Sequence, residues 1–140
     1  MTSQPLVLDT NIVLDLFVFN DAAAHPLRQA LAAARLDWLA TSPMREELAR
    51  VLAYPQIVPR LARCRLAAQD VLDGFDRQAR LVPAASRAGV ACKDPDDQKF
   101  IDLAVAHQAL LLSKDRAVIS MKKRLAALGV RAAQAIESIA

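Results

Sequence analysis

The chain is 140 residues long and 54% hydrophobic, with 18 Lys+Arg against 15 Asp+Glu and a net charge of +3. That length predicts one domain spanning 1–140 with a real core, and three glycines and seven prolines exclude collagen-like or low-complexity chain. So small a basic surplus permits a nucleic-acid partner without requiring one.

Leu6-Val7-Leu8 is short, wholly apolar and followed by Asp9-Thr10-Asn11, which predicts a buried central strand entering a helix-capping turn. His25 to Arg35 carries Leu27, Ala30, Leu31 and Ala34 at helical spacing. Trp38-Leu39-Ala40 reads as a second strand, closed by Thr41-Ser42-Pro43, an N-cap with proline in the first turn of a helix that runs to Leu52. Leu66 to Arg80 is helical, with Val71, Leu72 and Phe75 on its apolar side. Leu81-Val82 is a strand stopped by Pro83, and Ala84 to Pro95 a loop. A helix over Asp96 to Gln108 leads to a third buried strand, Leu110 to Leu112. One further helix, Val118 to Leu128, ends at Gly129, and Val130 to Ala133 supplies an edge strand. Phe17 and Trp38 are expected in the core.

Several classes drop out. Met1 to Pro5 carries no basic segment and the apolar run behind it stops at Asp9, so no secretory signal is expected. Phe100 to Leu112 is interrupted by Asp102 and His107, which excludes a membrane span. Cys64 and Cys92 lack metal-ligand spacing and are expected as reduced thiols of a cytoplasmic protein. Short apolar strands alternating with helices predict an α/β fold with a parallel sheet. Such sheets place their chemistry at the carboxyl ends of the strands.

Four acids fall where that rule points. Asp9 follows the first strand directly, and Asp115 follows Leu110 to Leu112 after only Ser113-Lys114. Taken singly, each is as well explained as a turn or capping aspartate. Glu47 lies three residues after Met44 and four before Val51, inside the apolar stripe of its helix, whereas Glu46 belongs to the solvated face with Arg50. Asp97 heads the stripe Phe100, Ile101 and Ala104. Asp96 is the expected N-cap, with Asp94 in the preceding loop. Four carboxylates at one rim repel by several kcal/mol per pair at about 4 Å, and a divalent cation among them removes that cost. All-oxygen ligation suits Mg²⁺ or Mn²⁺ rather than zinc. These ions polarise phosphoryl oxygens and activate water, which predicts a metal-dependent phosphate or phosphodiester hydrolase.

Leu6-Val7-Leu8-Asp9-Thr10-Asn11, Glu46-Glu47-Leu48, Asp94-Pro95-Asp96-Asp97-Gln98-Lys99-Phe100 and Leu111-Leu112-Ser113-Lys114-Asp115 occur in the order of a PIN-domain nuclease. The pattern resembles the branch of toxin components of bacterial toxin–antitoxin pairs, broadly VapC-like, over residues 6 to 137. The resemblance implies a three-layer α/β/α fold with a mostly parallel central sheet, and Mg²⁺- or Mn²⁺-dependent cleavage of single-stranded RNA by in-line attack of water, leaving 5′-phosphate and 3′-hydroxyl ends. It gives Asp9, Glu47, Asp97 and Asp115 as catalytic and metal-binding residues, with Thr10, Asn11 and Ser113 in support. It further implies a small antitoxin partner and pairing into homodimers. Many relatives carry another acid two residues beyond the last aspartate, where this chain has Ala117, and Lys114 replaces a small residue. These departures keep a second reading open: a catalytically impaired PIN-like module that binds RNA or an antitoxin without turnover.

Lys93, Lys99, Lys114 and Arg116 are the basic residues nearest the predicted site, and Arg45 and Arg50 share the helix of Glu47. All could contact phosphates and make binding fall with salt. No aromatic residues interleave with them to stack bases. His25 and His107 have no ligand-spaced companion, and no nucleophile elbow or glycine-rich phosphate loop is present.

Overall fold

Leu6, Val7 and Leu8 are all at most 3% exposed. Successive strand residues point to opposite faces, so both faces of the strand they end, β1 (Gln4–Leu8), are covered. A computed structural model describes residues 3–19 and 21–136 of the chain. Four further strands accompany β1: β2 (Leu36–Ala40), β3 (Arg80–Leu81), β4 (Leu110–Leu112) and β5 (Ala132–Ala133). Their order is β3-β2-β1-β4-β5, every pair parallel. Leu6 lies opposite Trp38 on one side and Leu110 on the other, and Leu8 opposite Leu112. The chain therefore grows outward from β1 in one direction and later returns to its other side. The gap between the carboxyl ends of β1 and β4 is the switch point at which such sheets build their sites.

Helices fill the connections. From β1 the chain enters α1 (Thr10–Phe17) and α2 (His25–Ala32), which stops at Ala34 in the left-handed region with φ 56°. Thr41 precedes α3 (Ser42–Leu52), with proline in its first turn as the sequence predicts. Two helices follow, α4 (Val58–Arg63) and α5 (Ala68–Gln78). The first of these leaves no periodic pattern in the sequence: it is short, begins Val58-Pro59, and buries Leu61 while Ile57 is buried just before it. Trp38 is 2% exposed, with Phe75 of α5 edge-on at 5.2 Å and Phe17 stacked at 6.2 Å. These contacts pin α1 and α5 to β2.

Beyond β3 a stretch without regular structure leads to α6 (Gln98–His107), which packs on β1 and β4. The single helix expected over Val118 to Leu128 is two: α7 (Arg116–Ile119) and α8 (Lys122–Ala127). Asp115 caps α7 and so starts it two residues early. A short-range bond from the Met121 amide to the Val118 carbonyl then tightens the chain and turns Met121 into the core, fully buried beside Val118 and Leu125. Gly129 ends α8 with φ 81°, as expected of a glycine there. Among the described residues no helix is long and apolar enough to cross a membrane.

Candidate metal centre

The ladder between β1 and β4 runs one bond past the strands, where the Asp9 amide donates to the Leu112 carbonyl at 3.0 Å. On the other side of β4 the Ser113 amide donates to the Ala133 carbonyl at 3.0 Å. Backbone register alone thus seats Asp9 and Ser113 side by side. Ser113 is completely buried, and its hydroxyl serves both neighbours: Oγ donates to Asp9 Oδ2 at 2.6 Å and accepts from the Asp115 amide at 3.0 Å. Asp115 in turn accepts the Ala117 amide on Oδ1 at 2.8 Å. Asp115 is thus the cap of α7.

Asp97 arrives from a different direction. It closes a 3-10 turn, Pro95–Asp97, whose cap is Asp94: Asp94 Oδ1 accepts the Asp96 amide at 3.0 Å. The sequence predicts that role for Asp96, which instead is exposed and supplies the amide. The preceding loop is tied to α6 by Gln98 and Asp102. Gln98 Oε1 accepts the Cys92 amide at 2.6 Å, and its Nε2 donates to the Val90 carbonyl and to Asp102. Asp102 also accepts the Ala88 amide at 2.8 Å. Sequence reasoning missed both residues. Their signal was present, as polar side chains one turn apart on the first turns of a helix that follows a long loop.

Asp9, Asp97 and Asp115 each offer a carboxylate oxygen, and these three oxygens lie within 4.8 Å of one another. Asp9 and Asp97 are buried and Asp115 half-buried. Burial pushes the Asp97 carboxyl up to about 8, reinforced by the neighbouring charges of Asp9 and Asp115. Asp9 is raised for the same reason, by burial first and then by the charges of Asp115 and Glu47, with the Ser113 hydrogen bond opposing. Three carboxylates at this spacing repel by about 3 kcal/mol or more per pair at an effective dielectric near 20. Asp97 Oδ2 is also buried without a hydrogen-bond partner. Buried oxygens are seldom left this way without a bound ion or water to meet them.

The residues fit a divalent cation. The donors are all carboxylate oxygens, Asp97 carries the orphaned Oδ2, and two ligands about 2.1 Å from a common Mg²⁺ can stand ~4.2 Å apart. Small side-chain movements close the difference. Asp9, Asp97 and Asp115 are the residues that would hold it.

Glu47 stands apart from these three. Its Oε2 accepts the Thr10 hydroxyl and its Oε1 accepts Lys99 Nζ at 2.7 Å. It is half-buried while Glu46 is exposed, so the helical phase distinguished the two correctly. Thr10 is buried and engaged with Glu47, whereas Asn11 is exposed and makes no side-chain hydrogen bond among the described residues. Of the basic residues, Lys99 is bound to Glu47, Lys114 pairs with Asp15 at 2.5 Å, and Arg45 grips Asp76 through two bonds of 2.7 and 2.8 Å. Lys93 and Arg116 are exposed and, among the described residues, unpaired.

A family model described as "PIN domain" matches residues 5–117, a stretch that takes in Asp9, Glu47, Asp97 and Asp115. A chain of the crystal structure of VapBC2 from Rickettsia felis, bound to a DNA fragment from their promoter, shares the fold with a TM-score of 0.63 at 16% identity. The alignment covers 91% of this chain and 98% of that one. No curated protein matches. The family match takes in well over half of the sequence and ends within the segment that carries Asp115: the chain belongs to the PIN domain family.

Proposed function

We propose that this protein is a metal-dependent endoribonuclease of one PIN-like domain, the toxin of a bacterial toxin–antitoxin pair, cleaving single-stranded RNA in the cytoplasm. The observation that carries the reading is the gathering of one carboxylate oxygen each from Asp9, Asp97 and Asp115 within 4.8 Å, with Asp97 also carrying a buried, unpartnered oxygen. Membership of the PIN domain family and the fold shared with VapBC2 support it. The fold shared with a chain of VapBC2 bound to a promoter DNA fragment favours a small antitoxin as partner, and the resemblance to VapC-like toxins adds a homodimer as the assembly.

Asp9, Asp97 and Asp115 would hold Mg²⁺ or Mn²⁺. Such a cation supplies charge stabilisation for a phosphoryl oxygen and acidifies water. Everything else is done by the chain. Ser113 orients the Asp9 carboxylate and the Ala117 amide fixes Asp115, so two ligands are set before a cation arrives. Thr10 and Lys99 hold the Glu47 side chain on α3, close enough for its charge to act on Asp9, where it can accept a hydrogen bond from the attacking water. Lys93, four residues before Asp97, and Arg116, next to Asp115, are exposed and can meet backbone phosphates.

Cleavage of a fluorogenic single-stranded RNA with Mn²⁺, with EDTA, and by Asp97→Asn tests the reading. Turnover with Mn²⁺ that chelator and Asp97→Asn both abolish is expected. Turnover that survives in Asp97→Asn would refute the site. The second reading, binding without turnover, is favoured by Ala117 in place of another acid, and it corresponds to retained RNA or antitoxin binding with no cleavage in either metal.

A further inference from the structure

Glu47 and Lys99 come from different helices and meet beside the acid cluster, with side chains only 18% and 25% exposed. The Lys99 ammonium is held from three directions. It donates to Glu47 Oε1 at 2.7 Å and to the carbonyl of Asp96, and it lies 4.9 Å over the Phe100 ring. Glu47 is held from a second side by the Thr10 hydroxyl. Both of its oxygens therefore accept hydrogen bonds, in contrast to Asp97, whose Oδ2 has no partner. The carboxylates near the rim thus divide in two: three that gather around a common point, and a fourth already matched with a cation of the chain's own.

The charges give that division a consequence. Three carboxylates and one divalent cation leave a net charge of about −1, and a Glu47–Lys99 pair adds nothing to it. If Glu47 joined the cation instead, the centre would approach −2 and an unpaired ammonium would be left half-buried, both unfavourable to an incoming phosphate diester.

We propose that Lys99 is a positioning residue that reserves Glu47: it keeps this carboxylate out of the ligand set of the cation held by Asp9, Asp97 and Asp115. This rests on the metal-dependent reading above. Without the ammonium, Glu47 loses its partner and turns to the nearest positive charge, the bound cation. The centre then binds cation more tightly and works less well.

Manganese is the probe. Calorimetry is carried out on the native protein and on Lys99→Met, Lys99→Arg and the double variant Lys99→Met/Glu47→Gln, with melting curves to confirm folding. Crystals of native protein and Lys99→Met soaked in MnCl2 locate the ion by anomalous scattering. Lys99→Met should bind Mn²⁺ about tenfold more tightly, adding Glu47→Gln should cancel that gain, and Lys99→Arg should behave as native. In the soaked crystals Glu47 should stay on Lys99 in the native protein and reach the ion in Lys99→Met. Glu47 on manganese in the native protein, or unchanged affinity in Lys99→Met, overturns the inference while leaving the metal centre standing. If Lys99→Met does not fold, the native soak decides by the same criterion. A native protein that binds no manganese at all overturns both.

Discussion

Ser113 and Asp9 are 104 residues apart in sequence, yet Ser113 Oγ donates to Asp9 Oδ2 at 2.6 Å inside the core. The same hydroxyl accepts the Asp115 amide, so one buried oxygen ties two of the three gathered aspartates together. Ser113→Ala keeps the fold and removes both bonds. The lost donor raises the Asp9 carboxyl further and leaves the Asp115 amide unmatched, at a cost of about 1–3 kcal/mol of stability. Mn²⁺ affinity should fall roughly tenfold, with activity recovering as manganese is raised. Calorimetric titration of the variant checks this, and an affinity equal to native would show that Ser113 is only filling space.

The raised acids set the pH dependence of the metal-free protein. Asp97 titrates near 8 when folded and at its ordinary 3.8 when unfolded. Between those values the folded state holds a proton that the unfolded state has lost, so stability falls as pH rises through the window. Asp9 acts in the same direction. Asp37 and Asp76, held low by hydrogen bonds from Arg80 and Arg45, gain their stabilisation below that window and do not mask it. In EDTA the protein should unfold at lower urea at pH 8 than at pH 5. Asp97→Asn should flatten the difference and Mn²⁺ should reverse it. Greater stability at pH 8 in chelator would contradict the clustered geometry.

Asp15 is buried on α1 and its partner, Lys114, is half in water. Placed between Ser113 and Asp115, Lys114 reads in sequence as a phosphate contact, and in the fold its ammonium is committed to Asp15. Lys114→Ala leaves a buried carboxylate without its counter-charge and should destabilise by about 1–2 kcal/mol, less than a fully buried pair because the lysine is exposed. The slope of RNA binding against salt should stay as in the native protein. Arg116→Ala should lower that slope. A Lys114→Ala protein of native stability with a reduced slope would reverse the assignment.

The order of strands and helices was legible because it rests on local patterns: apolar triplets closed by Asp9, Thr41 or Ser113, and the stripe Met44, Leu48, Leu52. Glu47 could be separated from Glu46 by helical phase alone. What failed locally had contextual causes. The split of α7 from α8 depends on a cap provided by Asp115 and on Met121 seeking the core. Helix α4 is too short for periodicity to register. Asn11 sits beside Thr10 in sequence but one helical step away in direction, and so faces solvent.

Residue types and spacing were enough to determine an α/β fold and to single out four candidate acids, since periodicity and strand ends are properties of neighbouring residues. Which acids share a point is not such a property. Only parallel pairing of β1 with β4, and a loop clamped by Gln98 and Asp102, brought Asp9, Asp115 and Asp97 together while leaving Glu47 to Lys99. Long-range register and charge pairing decided that division, because a carboxylate goes to whichever positive partner the packed chain places nearest.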